Sequence, residues 1–252
     1  MSGKYQIPSV HRAIDILYLL SSKERMSFTA IKDTLELANS TCFNLLNTLE
    51  KRGFVQRDNN NQYLLGIRLM QFGLSVYNNF DLSKVSKPYL RELSNEFEET
   101  TYLTVLDKTD SQGLITDCIH GDRTGLVYSR NIGEIIPLYA SGTGKSLLSG
   151  FDTEELNQFF EDVKLIPFTP QTITDKEVLL EELEEIRANG YAISQSAFEE
   201  GVISISAPIT DYTGAIIASL SLVGPINRIN IKLAQVIDSV KSTAKSISNQ
   251  LS

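Results

Sequence analysis

The sequence predicts an α+β protein in two parts: an N-terminal winged helix-turn-helix and a larger second domain built on a mainly antiparallel sheet. Three observations predict it. Apolar residues in the first fifty positions recur at helical spacing, and two strand-like runs around Asn59-Asn60-Asn61 follow them. Beyond residue 83, helical patterns are segregated from strands joined by hairpin-type turns.

Charge divides the chain at nearly the same place. Residues 1–80 hold nine Lys/Arg against six Asp/Glu, a net +3, whereas residues 81–252 hold fourteen against twenty-five, a net −11. A polyanion such as DNA is therefore expected to meet the first part, since cations must neutralise phosphates and release counterions. Other classes are excluded by composition. With 42% apolar and 21% charged residues the chain is neither disordered nor a disulfide-stapled miniature. Cys42 and Cys118 make no disulfide framework, and His11 and His120 alone make no zinc cage, so neither a metal nor a cofactor is expected. No apolar run reaches the roughly 18–20 residues of a membrane span, and Met1 to Gln6 lack a signal-peptide core, which predicts a cytoplasmic protein.

The elements follow in order. Ser9 is expected to cap a helix whose apolar face is Val10, Ala13, Ile14, Leu17 and Leu20, and Ser27 to cap a shorter helix carrying Phe28, Ile31 and Leu35. Glu36-Leu37-Ala38 makes a tight bend. A third helix buries Cys42, Leu45, Leu46 and Leu49 and ends at Gly53, which suits a left-handed C-terminal cap. The strand runs 54–58 and 62–65 form the wing, and residues 67–80 a linking helix ending at Phe80. In the second part a helix runs from Ser83 to Glu99, with strands at 102–107 and 113–119 and further short ones within 122–137. Asp152 caps a helix to Phe160, and a capping box at Thr174 to Glu177 opens a long acidic helix that stops at Gly190. Strands at 191–196, 202–210 and 215–223 precede a closing helix over 229–250, the last two strands joined by Asp211 to Gly214.

These residues resemble the IclR family of bacterial transcription regulators over essentially the whole chain. Val10 to Leu17 resembles the family's opening helix, Asn39 to Val55 its recognition helix and wing, and Tyr63 to Leu69 its wing-to-linker segment. In the second part Ser141 to Leu148, Phe168 to Asp175, Ile186 to Tyr191, Glu199 to Val202 and Ala207-Pro208 stand in family order and spacing. The resemblance implies a DNA-binding domain at 1–66, a linker helix at 67–82 and a GAF-like effector-binding domain at 83–252, working as a homodimer or a dimer of dimers. Two departures from the family stand in the first domain. Glu36 stands where the helix-turn-helix bend usually holds Gly, and Asn39 and Asn44 stand where the recognition helix usually carries Lys or Arg.

Phosphate attraction is then expected from Arg12, Lys32, Lys51, Arg52 and Arg57, with Asn39, Ser40, Thr41, Asn44 and Asn47 on the exposed face of the third helix. Asn44 and Asn47 are free to read base edges, Asn pairing with adenine, or are ordinary solvated residues. The resemblance places effector contacts on Gly142, Thr143, Ser194, Ser204 and Ser221, a set of backbone N–H and hydroxyl donors that implies a small organic acid or sugar acid. The expected function is a ligand-responsive regulator that binds a palindromic operator, and not an enzyme. The alternatives are a small-molecule enzyme and a redox- or partner-sensing module using the second domain.

The enzyme alternative has little support in motif. Gly142-Thr143-Gly144-Lys145-Ser146 ends like a phosphate-binding loop but has Tyr139 in place of the first glycine. His120-Gly121-Asp122-Arg123 with Ser129 or Ser141 lacks a nucleophile elbow, and Glu199 and Glu200, adjacent in an extended chain, point apart. Cys42 on the buried stripe reads as a core residue.

Overall fold

A computed structural model describes residues 7–78, 81–122 and 127–251. Phe80 and Arg123 lie outside them, as does much of the 122–137 segment's first half. The chain forms two compact units, Met1–Phe80 and Asp81–Ser252, each with its own core.

The first unit opens with α1 (Pro8–Ser22), preceded by Ile7 as the capping residue. Ser9 is therefore not the cap. Pro8 starts the helix instead, its fixed φ suiting the first helical position, where the missing N–H costs nothing. The buried face also differs from the expected stripe. Ile16 and Leu20 are buried with Leu17 beside them, while Val10 and Ile14 lie exposed in line with Ile7 and Tyr18. Periodicity could not choose between two apolar faces on one helix.

A short strand β1 (Met26–Ser27) leads into α2 (Phe28–Thr34), capped by Ser27 Oγ, which accepts from the Ala30 N–H at 3.2 Å. The bend to α3 (Asn39–Lys51) passes through Glu36 at φ +50°, so a side chain occupies the left-handed region that glycine would occupy freely. The end of α3 follows its sequence. Gly53 adopts φ +75° and donates to Glu50 O, and Phe54 N donates to Leu49 O, the paired bonds of a Schellman cap. The wing is β2 (Val55–Arg57) against β3 (Gln62–Leu65), and β1 adds on the far side of β3. Asp58 shapes the turn by accepting from Asn60 N and Gln62 N at 2.8 and 2.9 Å, while Asn61 takes φ +59°. Helix α4 (Ile67–Asn78) belongs to this unit, with Phe72 stacked on Phe54 at 5.6 Å.

The second unit is a six-stranded, fully antiparallel sheet with helices on both faces. Its strands are β4 (Thr100–Asp107), β5 (Gln112–Ile119), β6 (Ile135–Pro137), β7 (Ala192–Gln195), β8 (Val202–Thr210) and β9 (Ile216–Pro225), in spatial order β6-β5-β4-β9-β8-β7. On one face α5 (Asp81–Phe97) and α10 (Leu233–Gln250) pack together. On the other, α6 (Gly142–Leu148) lies across β7, β8 and β9 and is backed by α8 (Lys176–Asn189). Between α6 and α8 comes α7 (Thr153–Asp162), opened by an Asp152–Glu155 capping box.

Three expectations need correction here. The cap of α8 is Asp175 alone, accepting from Val178 N, rather than a box begun at Thr174. The closing helix starts at Leu233, after a short α9 (Ile226–Ile229) and a 3-10 turn. Among the described residues of 122–137 only β6 is a strand. No helix among the described residues is long and apolar enough to cross a membrane.

Candidate nucleic-acid interface and ligand cavity

The core of the first unit fixes which side of α3 faces outward. Cys42 and Leu46 are buried, with Leu45 and Leu49 beside them, against Ile16, Leu20 and Ile31. The opposite line is Ser40, Asn44, Asn47 and Lys51, spaced i, i+4, i+7, i+11, with Asn39 and Thr41 on the first turn. Asn39, Ser40, Asn44 and Lys51 are exposed, and Asn47 and Thr41 partly so. No side chain caps the N-terminus of α3, so its first N–H groups and the positive end of its dipole face outward.

The cations differ in how free they are. Arg12 on α1, with Lys51 and Arg52 at the end of α3, is exposed. Lys32 pairs with Asp33 at 2.7 Å, and Arg57 rests its guanidinium 5.5 Å from the Tyr63 ring on the wing. Thr48 turns its hydroxyl back onto Asn44 O at 2.7 Å, which withdraws that donor from anything beyond the helix.

One residue on this face escaped the sequence reading. Phe43 stands beside Asn44 and is 58% exposed, an aromatic ring with no core to fill. Its signal was present in the pattern: it falls outside the 42-45-46-49 stripe.

In the second unit the five expected effector residues belong to one stretch of packing between α6 and the sheet. Ser194 and Ser204 face each other across the β7–β8 pair, and Gly142 N donates to Ser204 Oγ at 3.2 Å. Thr143 Oγ1 hydrogen-bonds Ser221 Oγ at 2.8 Å and Tyr102 Oη at 3.0 Å, and Ser221 Oγ donates to Ser206 Oγ at 2.8 Å. All of these hydroxyls are buried. A Cβ on Gly142 would sit 2.8 Å from Ser204 Oγ, so only glycine lets α6 approach β8 this closely.

The five do not share one surface. Ser194 and Ser204 line a cavity of about 20 Å³ with Ser141, Tyr102, Tyr128, Phe198 and Glu199, whereas Thr143 and Ser221 lie behind it in the hydroxyl network. That volume holds one water, far below the several hundred Å³ of an occupied ligand pocket. The opening turn of α6 is also engaged, because Ser141 Oγ accepts from Gly144 N at 2.9 Å. Burial of Tyr102 pushes its hydroxyl well above the ordinary phenol range, so it serves as a neutral donor or acceptor here.

The charged group missing from the sequence reading is Arg130. Its Nε donates to Tyr128 Oη at 2.7 Å, its two terminal nitrogens reach Glu134 and Glu199 at 3.1 Å each, and its guanidinium lies 5.0 Å from the Phe198 ring. Three of these partners, Tyr128, Phe198 and Glu199, also close the cavity.

The rival chemistries find no geometry. Lys145 is 3% exposed and its ammonium is held by Glu182, so it is no phosphate-binding lysine. Ser141 is spent as a helix cap, and His120 has Cys118 Sγ at 3.9 Å. Burial raises both thiols, that of Cys118 to about 11, which keeps them protonated and poorly suited to redox sensing.

A basic winged helix-turn-helix joined to a sheet domain with a hydroxyl-walled cavity defines a class, that of ligand-responsive DNA-binding regulators. Residues 9–59 match the IclR helix-turn-helix domain, and residues 74–249 match the bacterial transcriptional regulator IclR C-terminal domain. The chain is 32% identical over 248 residues to the HTH-type transcriptional regulator XynR of Escherichia coli (strain K12), covering 97% of each. It is 32% identical over 249 residues to KdgR of the same organism, covering 97% of this chain and 93% of that one. An IclR transcriptional regulator from Alicyclobacillus acidocaldarius has the same fold, with a TM-score of 0.86 at 24% identity over 98% of this chain and 100% of that one. The chain belongs to the IclR family of bacterial transcriptional regulators. It is a regulator, not an enzyme.

Proposed function

We propose that the protein binds a palindromic operator as a homodimer in the cytoplasm, through residues 1–66, and that residues 83–252 sense a small organic acid or sugar acid, with 67–82 as linker. The observation that carries the DNA reading is the outward line of α3. Ser40, Asn44 and Asn47 supply neutral hydrogen-bonding groups to base edges, and Asn39 and Thr41 lie at the helix start, where a phosphate would meet free N–H groups. Arg12, Lys32, Lys51, Arg52 and Arg57 supply the phosphate contacts. Exposed apolar residues support the dimer: Ile7 before α1 with Val10, Ile14 and Tyr18 on it, and Ile67, Met70 and Leu74 on α4, present faces that a second copy would cover.

In this reading Ser194 and Ser204 face the effector, Gly142, Thr143 and Ser221 support them from behind, and the small cavity is the site's closed state. The test is fluorescence anisotropy on labelled DNA from upstream of the protein's own gene, with and without small carboxylic and sugar acids, alongside sedimentation of the free protein. The expected result is salt-dependent binding by a dimer that at least one acid shifts. Equal affinity for all DNA at all salt concentrations, or a monomer on the operator, overturns it.

A further inference from the structure

We propose that Arg130 is the residue that recognises the effector's carboxylate, and that Glu199 occupies it as an internal stand-in until that carboxylate arrives. The inference rests on reading the cavity as the effector site, and it names the charge that site uses.

The cavity must enlarge to admit any acid, and its walls are unequal. Ser194 and Ser204 lie on paired strands of the sheet, which hold their places. Phe198 and Glu199 lie in the 196–201 loop between β7 and β8. The loop is tied at its base. Ser196 N donates to Val202 O at 2.8 Å, Gly201 N to Ser196 Oγ at 3.0 Å, and Thr169 Oγ1 to Ser196 O at 2.6 Å. Ser196 and Gly201 both take positive φ, at +57° and +76°, so the chain reverses at these two points. Phe198 and Glu199 form the tip between these ties.

The tip is held by Arg130 together with the Phe168 ring, whose centroid lies 4.9 Å from that of Phe198. The guanidinium packs on the Phe198 ring and reaches Glu199 through one terminal nitrogen. Its two acidic partners are not equivalent. Glu134 is fixed by Asn131, whose backbone N and side-chain amide both donate to it at 2.9 and 2.8 Å. Glu199 is 51% exposed and, apart from Arg130, meets only the Tyr128 hydroxyl among the side chains described, so it is the acidic partner more open to exchange. An arriving carboxylate would take the terminal nitrogen that Glu199 gives up, with Nε and the other terminal nitrogen still held by Tyr128 and Glu134, and its body would lie toward the Ser194 and Ser204 side of the cavity. The ligand class is a monocarboxylate with a hydroxylated or compact body. Exchange at Arg130 would release the Phe198–Glu199 tip, which couples occupancy to the position of this loop.

The test is calorimetric binding of gluconate, pyruvate and benzoate to the full chain, each beside its uncharged amide. Wild-type protein is expected to bind at least one acid and to ignore the matching amide. Glu199→Gln should tighten that acid at least threefold by removing the competing carboxylate, Arg130→Gln should weaken it at least tenfold, and Arg130→Lys should fall between them. Ala197→Leu, which fills the cavity, separates two failures. If it abolishes binding while Arg130→Gln and Glu199→Gln both bind as wild type, the cavity stands and the role given to Arg130 is wrong. If Ala197→Leu binds as wild type, or no acid binds at all, the cavity reading fails and the proposal with it. Glu199 is half exposed, so its variant decides the matter even if Arg130→Gln does not fold.

Discussion

Arg228 closes on both oxygens of Glu99, its Nε at 2.6 Å and a terminal nitrogen at 2.7 Å, so that α9 is riveted to the start of β4 from 129 positions away. Glu99 is only 4% exposed at the side chain and Arg228 26%, which makes this an ion pair with one buried partner. Arg228→Met should destabilise the second unit by about 3 kcal/mol, the low end for stranding a buried charge, because Arg228 keeps some solvent. Gly224→Ala should act on the same pair, since its Cβ would lie 2.4 Å from Glu99 Oε2. Chemical denaturation followed by circular dichroism reads both, and unchanged midpoints would refute the pair's importance.

Glu36 holds the helix-turn-helix bend at φ +50° with its side chain exposed. Left-handed backbone costs a side-chain-bearing residue about 1–2 kcal/mol, and glycine returns part of that gain as unfolded-chain entropy. Glu36→Gly should therefore stabilise the first unit by about 0.5–1 kcal/mol. A lower melting temperature would show that Glu36 makes an interaction worth more than its strain.

On α3, Asn44→Ala should relax base preference at one operator position by about 1–3 kcal/mol, measured by competition among single-substitution operators. Phe43→Ala should do the same at a thymine, whose methyl group is the natural contact for an exposed ring. Equal loss of affinity for every sequence would make both residues positioning groups.

Lys51→Glu and Arg52→Glu should each weaken binding to all sequences alike and lower the slope of log affinity against log salt by about 1 for every phosphate left without its cation. A steady slope would remove these two cations from the interface.

The wing should respond to acid. Hydrogen bonds from Gln62 N and Asn60 N, together with Arg25 3.1 Å away, hold the Asp58 carboxyl below the usual carboxylate range against a smaller effect of burial. A depressed pKa stabilises the folded state above the unfolded value near 4, and that contribution is lost as pH falls through the folded value. Asp58→Ala should thus flatten the loss of wing structure below about pH 4, read by amide exchange at residues 58–62.

Much of the first unit was legible because its signals are local. Ser27, Gly53 and the 42-45-46-49 stripe act within a few residues of themselves, and the structure uses each as its chemistry suggests. Legibility failed where a choice depended on distant chain. Val10 and Ile14 have the right period, yet which face of α1 turns inward is set by Ile31, Cys42 and Leu46, which fill the space against Ile16 and Leu20. The two-residue strand β1 exists only because β3 offers an edge. In the second unit the hydroxyls at 143, 194, 204 and 221 could be named from resemblance, but Arg130 lies in a segment without periodicity and acquires meaning only beside Glu199, 69 positions later.

The adjacency of β4 and β9 bears on the order in which the protein is made. Thr100 pairs with Val223, so the two middle strands of the sheet are the first and the last of its six to leave the ribosome. Until β9 has emerged, β4, β5 and β6 can pair only among themselves and β7 only with β8, and the hydroxyl network has no Ser221. The first unit suffers no such wait, since its contacts close within 80 residues. Pairing of distant chain segments is slow and local structure fast. A nascent chain therefore completes its helix-turn-helix while the second unit is still an unfinished sheet, and a message truncated before codon 225 would leave the first unit beside a sheet without its β9 strand.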